Sequence, residues 1–159
     1  MNDHNNVLML NLADESATVS FAKQLSACIY AGMVIYLVGE LGAGKTTLVR
    51  ALLHALGYRG RVKSPTYTLL EHYEIGGFHL CHFDLYRLNN SNEWEQTGFR
   101  DEFNQSNICL LEWPEKAHGF VSKADIIFTF EILRAGRNLK IHALTHVGRK
   151  CLKNLQHWV

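Results

Sequence analysis

The apolar positions of this chain fall into short blocks whose period changes several times, and each change marks an element. Val7–Leu10 reads as a short first strand. Across residues 15–31, Thr18, Phe21, Ala22, Leu25, Cys28 and Ile29 recur at helical spacing and share one face, with Asp14 placed as the N-cap. Met33–Val38 is an unbroken apolar, β-branched run, as a strand covered on both faces should be. After a glycine-rich turn, Leu48, Val49, Leu52, Leu53 and Leu56 make a second helical stripe, closed by Gly57 as a C′ residue.

Further along, Tyr67–Glu74 and Phe78–Asp84 flank Gly76-Gly77 and predict a β-hairpin. Residues 92–103 fit a short helix and Ile108–Trp113 a third buried strand. Ile126–Leu133 and Leu139–Ala143 form a second hairpin around Ala135-Gly136-Arg137. Lys150–Val159 closes the chain as an amphipathic turn or helix, and Trp113 and Trp158 read as core or interface residues. Helices over a sheet that contains hairpins predict an α/β fold with a mixed sheet.

Composition narrows the function. At 159 residues, with 47% hydrophobic and 19% charged positions, the chain reads as one compact domain over residues 1–159 and not as a disordered segment. A net charge of +1 lacks the basic excess of a protein that holds nucleic acid by itself, so contact with RNA is expected only through a partner. No stretch reaches the roughly 20 apolar residues that span a bilayer. The polar start lacks the layout of a signal peptide, so no membrane role and a cytoplasmic location are expected. Cys28, Cys81, Cys109 and Cys151 lie far apart among apolar neighbours, which predicts buried free thiols and no zinc.

The glycine-rich turn carries the chemistry. Gly39-Glu40-Leu41-Gly42-Ala43-Gly44-Lys45-Thr46, followed by Thr47, fits G-x-x-x-x-G-K-[ST] between a buried strand and a helix. The glycines let the backbone fold back so that successive N–H groups face phosphates, and the helix adds the positive end of its dipole. Lys45 is placed to reach the β- and γ-phosphates of ATP and Thr46 to ligate Mg²⁺. Chance alone produces the pattern in on the order of one chain per hundred of this size, before its strand–loop–helix setting is considered. The predicted fold is therefore a P-loop NTPase-like three-layer α/β/α domain.

A magnesium site also wants a carboxylate at the end of a neighbouring strand. Four apolar residues lead into Glu112, as in a Walker-B strand, and this favours a metal role over a capping one. Asp84 ends the run Cys81-His-Phe-Asp; taken alone, site carboxylate and structural cap stay equally open. Ser64-Pro-Thr-Tyr-Thr68 follows the loop helix, and Pro65 stiffens it; by itself it reads as an ordinary turn. His79 and His82 point to opposite faces of one strand and read as structural.

Together the loop, Val62-Lys-Ser-Pro-Thr-Tyr-Thr-Leu69, His82-Phe-Asp-Leu-Tyr-Arg-Leu88 and Leu111-Glu-Trp-Pro114 resemble the TsaE (YjeE) family in order and spacing, over residues 39 to about 115. The resemblance implies a P-loop ATPase required for threonylcarbamoyl modification of tRNA. It puts the family's lysine and magnesium threonine on Lys45 and Thr46, its metal-binding glutamate on Glu112 and its essential aspartate on Asp84. Asp84 would orient the attacking water or a magnesium-bound water, and Thr66 would touch the γ-phosphate. The nucleotide-holding segment before the first helix falls on Asp14–Thr18, and a late Gly-Arg pair on Gly136-Arg137. It also implies two partners: TsaD, which transfers the threonylcarbamoyl group to adenosine 37 of tRNA, and TsaB, its dimerisation partner; ATP turnover would reset their complex. A small-molecule or nucleotide kinase and a non-catalytic ATP-gated module remain the competing readings. A GTPase is disfavoured, since the chain has no Asn-Lys-x-Asp motif.

Overall fold

The structure is a computed structural model that describes residues 6–156; Trp158 and the first five residues, both read above, lie outside them. One seven-stranded sheet runs in the order β1-β7-β6-β2-β5-β4-β3. Its strands are β1 (Val7–Leu12), β2 (Val34–Val38), β3 (Leu70–Ile75), β4 (Phe78–Asp84), β5 (Asn107–Glu112), β6 (Ile126–Ile132) and β7 (Arg137–Ala143). The central four, β6-β2-β5-β4, are mutually parallel, while β1, β7 and β3 add antiparallel pairs at the margins. This is the α/β fold with a mixed sheet that the patterning predicts.

Period-two alternation divides each central strand between two cores. Ile35, Leu37, Leu80, Ile108 and Leu110 face α1 (Glu15–Ser26), α2 (Lys45–Ala55) and α4 (His146–Gln156). Val34, Cys81, Phe83, Cys109 and Leu111 face a thinner layer of α3 (Ser91–Thr97) and the 3₁₀ turns Phe99–Glu102 and Pro114–Ala117. There Trp94, Phe99 and Phe103 pack around Phe83 with ring centroids 5.3–5.9 Å apart.

Local signals explain the element ends. The Asp14 carboxylate accepts from the Ala17 N–H at 2.9 Å and caps α1. Gly57, at φ 101°, closes α2 in a Schellman turn: its N–H reaches the His54 carbonyl while Tyr58 N–H reaches Leu53. Gly76 and Gly77, at φ 60° and 82°, supply the left-handed pair of a two-residue hairpin turn.

Several predicted boundaries shift, β1 running on to Leu12 and β7 starting early at Arg137 among them. Helix α1 stops at Ser26, because Ala27 and Cys28 turn back onto the Gln24 and Leu25 carbonyls; Cys28 and Ile29 are still buried, but from a turn. Strand β3 starts at Leu70 because Leu69 sits at φ 67° and bonds back to Pro65. Gly98, at φ 72°, splits the 92–103 helix in two. The last helix begins four residues early, at His146, where the Thr145 hydroxyl accepts from the Gly148 N–H at 3.1 Å.

Candidate functional site

The parallel strands bring their C-terminal ends to one edge, where open α/β sheets place their ligand crevices. The loop from Gly39 to Gly44 leaves β2 there and turns directly into α2. Gly39, Gly42 and Gly44 have φ of 154°, 78° and 108°; a Cβ on Gly39 would lie 3.0 Å from the Phe130 carbonyl oxygen. No side chain caps α2, so the N–H groups of its first turn and the positive end of its dipole face the crevice.

The strand ends supply the acids. Asp84 and Glu112 are the last residues of β4 and β5, are register partners, and are both buried. The Thr46 hydroxyl lies 3.0 and 3.1 Å from the two Glu112 carboxylate oxygens. Lys45 is only 4% exposed; its ammonium donates to the Gly39 carbonyl and lies 3.9 Å from the centroid of the Trp113 ring. Burial pushes the Lys45 pKa below the ordinary lysine value, against the pull of Glu112, Asp84 and Glu115. Burial likewise raises the Asp84 pKa; the Tyr86 N–H opposes this, the Glu112 charge adds to it, and His82 and Lys45 oppose it. Thr66 reaches the same acid: its hydroxyl stands 3.5 Å from Asp84 Oδ2 and 2.8 Å from the Ser64 hydroxyl.

Among the described residues two that are not glycine adopt left-handed backbone, and both adjoin these acids. Trp113, at φ 58°, directly follows Glu112, and Leu69, at φ 67°, accepts the Asp84 N–H at 3.0 Å. Each such conformation costs about 1–2 kcal/mol, a strain that clusters where a site must be held in shape.

His82 joins the site from a position that sequence reading treats as structural. Alternation along β4 puts it on the Asp84 side, two residues away, and that i, i+2 relation is the signal that reveals it. Its Nε2 meets Glu112 Oε2 at 2.6 Å, with both groups buried. With Nε2 as the donor, Nδ1 is left buried without a partner, so the ring is held for the carboxylate alone. His82→Ala leaves the buried Glu112 carboxylate with the Thr46 hydroxyl as its remaining hydrogen-bond partner and is expected to cost about 2 kcal/mol of stability, measurable by urea unfolding. An unchanged midpoint would show that the contact carries no weight.

A cavity of ≈ 470 Å³ opens over these groups, lined by Leu41–Thr47, Ser64, Thr66, Asp84, Glu112, Asp14 and Arg137. Of the sequence-predicted residues, Gly39 and Glu40 do not line it. They form the base of the loop, where the Glu40 carbonyl accepts from Ala43 N–H at 3.1 Å. Asp14 reaches the rim while capping α1. Arg137 lies opposite Leu12 in the β1–β7 register and grips the loop: Nε donates to the Ala43 carbonyl and Nη2 to the Gly42 carbonyl, both at 3.1 Å.

Fold and glycine-rich loop together define an α/β protein with a mixed sheet, its cleft at the ends of the parallel strands. The family model described as "Threonylcarbamoyl adenosine biosynthesis protein TsaE" matches residues 12–140, and the chain belongs to that family, named for a role in tRNA threonylcarbamoyladenosine biosynthesis. Among curated relatives, the tRNA threonylcarbamoyladenosine biosynthesis protein TsaE of Haemophilus influenzae is 42% identical over 146 residues, covering 89% of this chain and 92% of its own. The Bacillus subtilis protein of the same name is 38% identical, covering 84% of this chain and 82% of its own. The crystal structure of Bacillus subtilis YdiB superposes with a TM-score of 0.79 at 25% identity, over 96% of this chain and 95% of that one. Among the described residues no helix is long and apolar enough to cross a membrane.

Proposed function

We propose that this chain binds ATP and Mg²⁺ in the cleft and hydrolyses ATP slowly, and that the product of its cycle is a reset of a TsaD–TsaB complex between rounds of tRNA modification. The observation that carries the reading is the convergence of Lys45 and Thr46, at the start of an uncapped helix, on Glu112 and Asp84 from two neighbouring strands. The backbone from Leu41 to Thr47 holds the phosphates above the base formed by Gly39 and Glu40, and Lys45 exchanges the Gly39 carbonyl for phosphate oxygen. A hydroxyl and a carboxylate are the hard oxygen donors that suit magnesium, so Thr46 and Glu112 are the residues that hold it. Bound there, the ion supplies neutralisation of phosphate charge. Asp84 orients the attacking water, Thr66 positions the terminal phosphate beside it, and Asp14 and Arg137 flank the nucleotide. Arg137 acts chiefly by bracing the loop.

The near-neutral charge supports a role on tRNA that runs through the partners. The four free cysteines agree with a cytoplasmic protein. Phosphate release measured alone and with purified TsaB and TsaD is the test, and strong stimulation by the pair is expected. Phosphorylated acceptor in place of free phosphate would make the chain a kinase. Asp84→Asn is expected to retain ATP binding and lose hydrolysis on the order of 100-fold. If that variant still supported modification, the chain would be an ATP-gated module.

A further inference from the structure

On the opposite face of the sheet, the β3–β4 hairpin gathers a second set of donor groups, independent of the nucleotide reading. The register pairs His72 with Cys81 and Glu74 with His79, so strand alternation points all four to the side away from the cleft. The Phe99–Glu102 turn lies over this face and adds Glu102. His72 Nδ1 stands 2.9 Å from His79 Nε2 and 3.7 Å from Cys81 Sγ. Cys81 Sγ is 3.6 Å from Glu102 Oε2. One donor atom from each of the four residues lies within 4.8 Å of all the others.

The two Cys81 separations match the edges of a coordination tetrahedron, and the imidazole pair, now at hydrogen-bond distance, has to open by a few tenths of an ångström to reach one. Bonds of about 2.0–2.1 Å to nitrogen and about 2.3 Å to sulfur place ligand atoms about 3.3–3.7 Å apart. The outer contacts fit as well. His79 turns its other nitrogen, Nδ1, toward the exposed Glu74 carboxylate, 3.5 Å from Oε1, where a small approach would make the carboxylate–imidazole pair that orients a ligating ring. The Asn107 amide holds Glu102 through its carbonyl at 3.0 Å and its Oε2 at 3.3 Å. The His72 side chain is 44% exposed, which leaves an entry path from solvent.

We propose that His72, His79, Cys81 and Glu102 form a tetrahedral Zn²⁺ site on the outer hairpin. Two imidazoles, one thiolate and one carboxylate are a borderline-soft donor set that selects zinc over magnesium. The two anionic ligands balance the charge of the dication, and the thiol proton leaves to solvent on binding. The site ties edge strand β3 and its partner β4 to the turn that covers them, three residues before Asp84.

The test is Zn²⁺ titration of the full chain by calorimetry in excess Mg²⁺ and ADP, with Co²⁺ absorption in parallel. One equivalent is expected to bind, and Co²⁺ to give a near-ultraviolet thiolate charge-transfer band that Cys81→Ser removes. His72→Gln and His79→Gln are expected to weaken Zn²⁺ by more than about 100-fold, and Glu74→Gln by about tenfold. Should Cys81→Ser fail to fold, the exposed His72→Gln carries the test, and its ADP binding should match the parent's. No heat with Zn²⁺, a Co²⁺ spectrum without the thiolate band, or affinity unchanged in both histidine variants would overturn the proposal. Binding lost on adding Mg²⁺ and ADP would do the same, since it would assign the ion to Thr46 and Glu112.

Discussion

Lys45→Ala is expected to weaken nucleotide binding by roughly two orders of magnitude while leaving the apo protein folded. The ammonium is buried at a cost, compensated by one backbone carbonyl, the face of Trp113 and the charges of Glu112, Asp84 and Glu115. Removing it deletes a desolvated cation and takes nothing from the apolar cores. On the proposed reading its worth appears only when phosphate is present. Truncating one member of such a buried charge pair costs about 3 kcal/mol, roughly two orders of magnitude in Kd. Calorimetry with Mg-ATP measures the loss, and a thermal melt without nucleotide checks the fold. A melt far below the parent's would mean that the lysine serves the core instead. Equal affinity in the two proteins would remove the cleft's claim to phosphate.

The second large effect lies far from that chemistry. Gly148 stands in the first turn of α4, and a Cβ built there would fall far inside van der Waals contact of the Asp125 carbonyl oxygen. The neighbourhood has little freedom to yield. The Asp125 N–H donates to the Val34 carbonyl and its carbonyl accepts from the Leu144 N–H, while its carboxylate accepts from the Val34 N–H at 2.8 Å and from the Thr145 hydroxyl. Gly148→Ala must therefore lift α4, with Cys151, Leu152 and Leu155, away from the sheet. The expected loss is about 3 kcal/mol, which corresponds to a fall of roughly 6–12 °C in Tm for a domain of this size. A variant melting with the parent would show that the helix accommodates a methyl group by sliding.

Neither the need for Gly148 nor the role of Arg137 shows in the order of residues. A small residue at the start of a helix is unremarkable until a carbonyl from elsewhere is set against it. The elements themselves are legible, because each strand and helix announces itself through local period and local caps: Asp14 before α1, Gly57 after α2, the glycine pair between β3 and β4. The glycine loop and the acid at the end of β5 are legible for the same reason, as loop and strand ends carry recognisable types; Asp84, taken alone, stays open between site carboxylate and structural cap. What local reading misses depends on register. His82 reads as filler until alternation sets it beside Glu112. Cys81 reads as a solitary thiol until the hairpin places it opposite His72. The left-handed turns at Leu69 and Trp113 leave no mark either, since neither residue is of a kind that favours such backbone.

The hold of Arg137 on the glycine loop has a consequence for how the protein comes into being. The bonds to the Ala43 and Gly42 carbonyls join residues 94 and 95 positions apart. A ribosome finishes the glycine loop long before it makes the side chain that steadies it, and β1 waits longer still for β7. A nascent chain thus carries an unbraced loop through most of its synthesis, and on the proposed reading competence for nucleotide arrives only with the closing hairpin.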